Sequence, residues 1–188
     1  MRILGVDPGS LVTGYGVIDA EARTLQRVRS GIVQLRSGDP MPERLMHIYD
    51  ALRDVIVATR PDVFSIETAF YGKNVQSTLK LGQVRGVALL AAMHHGLDIR
   101  EFSPREVKRA VTGSGAASKQ QVAAMVRAML ALDEDFARSD ETDGLALALC
   151  CAVTRAPLIP AAPAAGKRPP RRTSWEDFVR NNPTRIKP

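Results

Sequence analysis

The chain predicts an α/β fold. Three strand-like runs come first, after which helix-like and strand-like stretches interleave in the order βββ-α-β-α-β-α-α-α. Two helix starts carry capping-box signatures, SPRE at 103–106 and SKQQ at 118–121, and they fix where the later helices begin. No internal repeat interrupts this order.

Residues 3–6 form a short apolar run stopped by Asp7, Pro8 and Gly9, a buried strand that ends in a tight turn with Asp7 at its carboxyl end. Two β-rich runs follow at 13–19 and 25–35, spaced closely enough for an antiparallel meander. From Pro42 the period becomes helical: Leu45, Ile48, Leu52, Val55 and Ile56 make one stripe, ended by Arg60 and Pro61. Residues 62–68 (DVFSIET) return to strand, with Glu67 at its end. Residues 75–95 read as a long Ala- and Leu-rich helix in which Gly82 and Gly86 leave one face open to another backbone. A strand at 98–102 leads to the Ser103 cap, Pro104 at the first helical position and Glu106 three after the cap. Past the Gly- and Ala-rich GSGAA, Ser118 and Gln121 open a helix to about 132, and Ser139 is the expected cap of the last helix.

Composition narrows the function. With 188 residues, 45% hydrophobic and 24% charged, the chain is neither disordered throughout nor fibrous. Its longest apolar run, residues 145–153, falls well short of the roughly 18 residues a membrane span takes. MRILGVDPGS lacks the features of a signal peptide, so a cytoplasmic location is expected. Adjacent Cys150 and Cys151 in an apolar stretch read as free buried thiols in a reducing compartment. A net charge of +6 points to a polyanionic partner. Most of it sits in residues 156–188, which hold seven Lys and Arg against two acids and seven of the twelve prolines. A domain over 1–155 and a Pro/Ala/basic tail over 156–188 follow. The tail is expected to be extended and mobile over 157–173, and SWEDFVR reads either as one helical turn that docks on a partner or on the domain, or as part of a passive disordered end.

Four carboxylates stand out. In α/β sheets ligands gather at the carboxyl ends of strands, where Asp7 and Glu67 lie. Asp140 and Asp143 are three apart at a helix start and share a face. An all-oxygen set of this kind suits Mg²⁺ or Mn²⁺, and a pair of such ions can drive phosphodiester cleavage. Each residue also has a plain structural use: Asp7 before Pro8-Gly9 as a turn residue, Glu67 as a solvated strand end, Asp140 and Asp143 as partners of a helix dipole. GSGAASK lacks the glycine before lysine of a phosphate-binding P-loop, GYG lacks a third glycine, and adjacent His94 and His95 diverge on a helix.

Several segments together carry a resemblance. GVDPGS at 5–10 with TGYGV at 13–17, IETAFYGKNVQSTLKLGQVRG at 66–86, SPREVKRAVTGSGAASKQQV at 103–122 and DETDGLALAL at 140–149 resemble, in order, the RuvC family of Holliday junction resolvases. The resemblance implies a ribonuclease H-like fold with a five-stranded mixed sheet flanked by helices, its first and fourth strands adjacent. It implies metal-binding carboxylates at Asp7, Glu67, Asp140 and Asp143, with Glu141 pointing elsewhere, and two Mg²⁺ ions per site, Mn²⁺ substituting. Lys108 and Lys119 fall at the active-site margin. Phe70 aligns with a base-contacting aromatic, beside Tyr71 and Asn74, and Lys73, Lys80 and Arg85 are candidate phosphate contacts.

The implied activity is resolution of four-way DNA junctions by paired symmetric nicks in recombination and repair, leaving 5′-phosphate and 3′-hydroxyl ends. The implied partners are a second copy of the chain and the RuvA and RuvB branch-migration machinery; the Gly82 and Gly86 face is a candidate either for part of the dimer contact or for tight packing on the chain's own sheet. Two other readings compete: a catalytically silent junction binder, and a phosphotransferase suggested by DPGS, for whose two-domain cleft the chain is too short.

Overall fold

Period-two alternation in the first strand sets the architecture. In the computed structural model, which describes residues 1–21, 24–68, 74–133, 136 and 138–154, β1 (Arg2–Asp7) turns Leu4 and Val6 to one face of a sheet and Ile3 and Gly5 to the other. β2 (Val12–Glu21) pairs antiparallel with β1, and β3 (Thr24–Gln34) antiparallel with β2, which is the expected meander. On the other side of β1, β4 (Val63–Glu67) runs parallel, and β5 (Asp98–Phe102) runs parallel to β4. The order is β3-β2-β1-β4-β5, a five-stranded mixed sheet with the first and fourth strands adjacent.

Helices cover both faces. α1 (Met41–Thr59) and α2 (Val75–His94) set Ile48, Leu52, Val84 and Ala88 against Leu4, Val6, Phe64 and Ile66. α3 (Pro104–Thr112), α4 (Lys119–Leu130) and α5 (Ser139–Val153) enclose Ile3, Ile18, Val63 and Phe102 with Val107, Val126, Leu145 and Leu149. Burying each such side chain contributes about 1.5–3 kcal/mol before entropy is charged. α5 touches the sheet on one side and α3 and α4 on the other, and every residue from Gly144 to Cys151 is buried. That sandwiched position explains why residues 145–151 are apolar all round. Cys150 and Cys151 are free, and burial pushes their thiols up to about 12 and about 11.

Both capping boxes form: Ser103 with Glu106 opens α3, and Ser118 with Gln121 opens α4. α1 ends on Arg60, whose left-handed backbone (φ 48°) precedes Pro61. One cap differs from expectation. Arg138 takes the N-cap position of α5 without a side-chain cap bond, and Ser139 is the first helical residue. The first turn is held instead from across the sheet, where Ser30 Oγ donates to Glu141 Oε1 at 2.6 Å. The expectations for residues 155–188 lie outside the described residues. Among the described residues no helix is long and apolar enough to cross a membrane.

α5 sits very close to β1 and β2. A Cβ added at Gly144 would meet the Tyr15 backbone at 2.6 Å, and one at Gly16 would meet Leu145 at 2.6 Å; one at Gly14 would overlap the Asp140 carbonyl, and one at Gly5 the Gly144 carbonyl. Only glycine permits such an approach. Gly14→Ala lowers the unfolding free energy by about 2–3 kcal/mol, because backbone rather than a flexible side chain blocks the new methyl; urea denaturation of the two proteins checks this.

Candidate active site

The alternation that builds the core also aims the carboxylates. Along β1 the residues facing α5 are Ile3, Gly5 and then Asp7; along β4 they are Val63, Ser65 and then Glu67. The register pairs Val6 with Ile66, so Asp7 and Glu67 end adjacent strands side by side. Ser65 Oγ donates to the Leu147 carbonyl at 2.8 Å, pinning β4 to α5 beneath the site. The start of α5 then brings Asp140, in its first turn, and Asp143, in the next, over the end of the sheet, with the Asp140 backbone against Gly14.

A cleft of about 320 Å³ opens there. Asp7, Glu67 and Asp143 line it together with Lys108 from α3 and Lys119 from α4, and Val107, Val122, Ala146 and Leu147 form its apolar walls. Asp140 stands outside that lining but within electrostatic reach of Asp7 and Lys119. Lys119 Nζ pairs with Asp143 Oδ2 at 3.0 Å.

Crowding like charges has a visible cost. Burial, followed by repulsion from Glu67, Asp143 and Asp140, lifts Asp7 from 3.8 to about 7, with Lys119 pulling the other way. Glu67 is also raised, by burial first and then by Asp143. The hydrogen bond to Asp143 raises Lys119, so its ammonium is held charged.

The donor set fits a hard divalent cation: every candidate ligand is a carboxylate oxygen, and the site carries more negative charge than Lys119 balances. As placed, no three acidic, imidazole or thiol side chains among the described residues are grouped closely enough to hold a metal ion; Mg²⁺, which keeps several waters, needs only one or two protein carboxylates.

The other sequence-selected residues divide. Lys80 is exposed on α2. Asn74 caps α2, its side chain accepting the Ser77 N–H at 3.1 Å. Arg85 is turned inward, its guanidinium on Glu101 Oε2 at 2.6 Å and its Nε donating to the Glu67 carbonyl at 3.1 Å. Glu141 points away from the cleft toward Ser30, as its helical position predicts. Phe70, Tyr71 and Lys73 lie outside the described residues. The sequence reading overlooked Ser65 and the glycines under α5. A signal for Ser65 was present, one hydroxyl on the α5-facing side of an otherwise apolar strand.

The chain is similar to known proteins over most of its length. The family model described as crossover junction endodeoxyribonuclease RuvC matches residues 3–151. A crossover junction endodeoxyribonuclease RuvC of Chloroherpeton thalassium is 46% identical over 183 residues, 97% of this chain and 97% of the relative. The Thermus thermophilus RuvC structure superposes with a TM-score of 0.75 at 31% identity, covering 81% of this chain and 94% of that one. The T. thermophilus RuvC in complex with Holliday junction substrate gives the same score at 29% identity, with the same coverage of both chains.

The raised Asp7 makes a prediction for protein kept in chelator. A carboxyl whose folded pKa, about 7, exceeds its value of 3.8 favours the folded state when protonated, so its contribution is fullest below about pH 4 and is lost as pH rises toward 7. Stability therefore falls by about 1 kcal/mol per pH unit across that window. In urea melts at pH 5 and pH 8, Asp7→Asn flattens this dependence and is the more stable protein at pH 8.

Proposed function

The chain belongs to the RuvC family of crossover junction endodeoxyribonucleases, and from that premise we propose that it resolves four-way (Holliday) DNA junctions by paired, symmetry-related nicks. The observation that carries this reading is the single cleft in which Asp7, Glu67 and Asp143 meet Lys108 and Lys119.

Asp7, Glu67, Asp140 and Asp143 hold the cations, proposed as two Mg²⁺ per site with Mn²⁺ substituting. When bound, such ions polarise the scissile phosphate and lower the pKa of the attacking water. The chain's own residues do the rest. Asp7, Glu67 and Asp143 present oxygen donors in the cleft with Asp140 near them, and the buried walls of Val107, Val122 and Leu147 limit access of bulk water. Lys108 and Lys119 place the phosphodiester and offset the charge that develops on its oxygens. Water adds to phosphorus, the bond to the 3′ oxygen breaks, and that oxygen leaves as a hydroxyl; the 5′ side keeps the phosphate. No bond to the protein forms.

Phe70 and Tyr71 are proposed to stack on or wedge between bases next to the cut, with Lys73, Asn74 and Lys80 on neighbouring phosphates. The basic residues 156–188 add salt-sensitive affinity that does not depend on sequence. A junction has approximate two-fold symmetry, and a two-fold homodimer supplies one cleft per strand. α2 offers the surface for it: Val75 (70% exposed), Leu79 (63%) and Leu90 (48%) flank Gly82 and Gly86, where an added Cβ would meet nothing. Family resemblance adds RuvA and RuvB as partners, in the cytoplasm where the DNA is.

Mapping incisions in a synthetic four-way junction with Mg²⁺ or Mn²⁺, beside a linear duplex, tests the activity. Wild type leaves ligatable, symmetry-related nicks, Asp7→Asn leaves none, and neutral residues at Lys108 or Lys119 slow cutting by about 100-fold. Junction binding without cutting by wild type across several sequences would favour the silent binder. Leu79→Asp shifts the protein to monomer in sedimentation velocity and leaves single, uncoupled nicks.

A further inference from the structure

Arg85 looks from the sequence like one more phosphate contact on α2, but its side chain is 17% exposed and committed at both ends. Nε donates to the backbone carbonyl of Glu67 at 3.1 Å, while a terminal nitrogen meets Glu101 Oε2 at 2.6 Å. Glu101 lies on β5 level with Ile66, and the next residue, Phe102, is level with Glu67. Just beyond, the Thr68 N–H donates to the Phe102 carbonyl at 2.9 Å. The carboxyl ends of β4 and β5 are thus closed by a backbone bond and, from the α2 face, by one guanidinium.

The carbonyl that Arg85 holds belongs to Glu67 itself. Turning that peptide, and with it the main chain from which the Glu67 side chain projects, breaks the Nε bond and strains the ion pair to Glu101. A planar guanidinium with two fixed partners resists this as a flexible ammonium would not.

We propose that Arg85 is a positioning residue: through the Glu67 carbonyl and Glu101 it fixes the main chain of a cation-binding carboxylate, and so tunes the affinity of the cleft for divalent cations. This rests on the reading of the Asp7 and Glu67 cleft as the cation site. The sign of the effect sets it apart from bulk electrostatics. Removing a positive charge near a cation site strengthens cation binding by Coulomb attraction, whereas losing a positioning partner weakens it.

Mn²⁺ binding to the full chain, followed by the electron paramagnetic resonance of the free ion, reads this without turnover. Arg85→Gln and Arg85→Lys weaken Mn²⁺ binding about tenfold, the lower end of what loss of an outer partner costs a metal site. Affinity for a synthetic four-way junction in chelator, and its salt slope, stay as in wild type. Arg85→Lys, which keeps the positive charge but not the planar fork, serves where Arg85→Gln fails to fold. Mn²⁺ affinity equal to or above wild type in the folded variants overturns the proposal, as does a junction salt slope reduced by about one in Arg85→Gln, the mark of a lost phosphate contact. Asp7→Asn separates the two levels. If it binds Mn²⁺ as wild type does, the cation-site reading falls and the inference with it; if it alone loses Mn²⁺, only the inference falls.

Discussion

Everything at the site depends on how closely α5 can lie on the first two strands. A helix on a sheet ordinarily stands off by the length of the side chains between them. Here Gly5, Gly14 and Gly16 on the sheet and Gly144 on the helix remove that spacer. The first turn of α5 therefore descends to the level of the strand ends, and carboxylates from one helix and two strands reach a common cleft. With ordinary side chains at these positions, Asp140 and Asp143 would ride several ångströms higher, and no rotamer of so short a side chain would recover the distance.

The price of that convergence is electrostatic. A core alone would never gather acids on its rim, and the raised Asp7 and Glu67 record the conflict between stability and use. Lys119 relieves part of it through Asp143, from a helix whose own start is fixed by a capping box. On the proposed reading a divalent ion relieves more, and the same repulsion that weakens the fold supplies the drive for binding it.

Much of this was legible in the residues. The meander, the helix starts at Ser103 and Ser118, and the strand-end positions of Asp7 and Glu67 follow from local pattern, because alternation and capping are read over a few residues. Adjacency of β1 and β4 was not local; it came through the resemblance, and the register bears it out. The misplaced cap at Ser139 shows the limit of local chemistry. A serine before an acidic first turn reads as a cap, yet the turn is tied across the sheet by Ser30 and Glu141, more than a hundred positions apart. Arg85 shows the same limit. On a helix it is one more basic residue, and only the position of Glu101 on β5 turns it inward. The closeness of α5 could have been suspected from TGYG, where glycines alternate on one face of a strand.

The sealed pair at Cys150 and Cys151 has a practical consequence. Both thiols are buried within α5 and held far from the thiolate form, and the chain has no other cysteine. Alkylating reagents attack thiolates that they can reach. A single cysteine placed on the outer face of α2 or α4 is therefore the one group a maleimide dye modifies in the folded protein. Distances between dyes on two copies of such a chain become measurable without first stripping the native residues from the core.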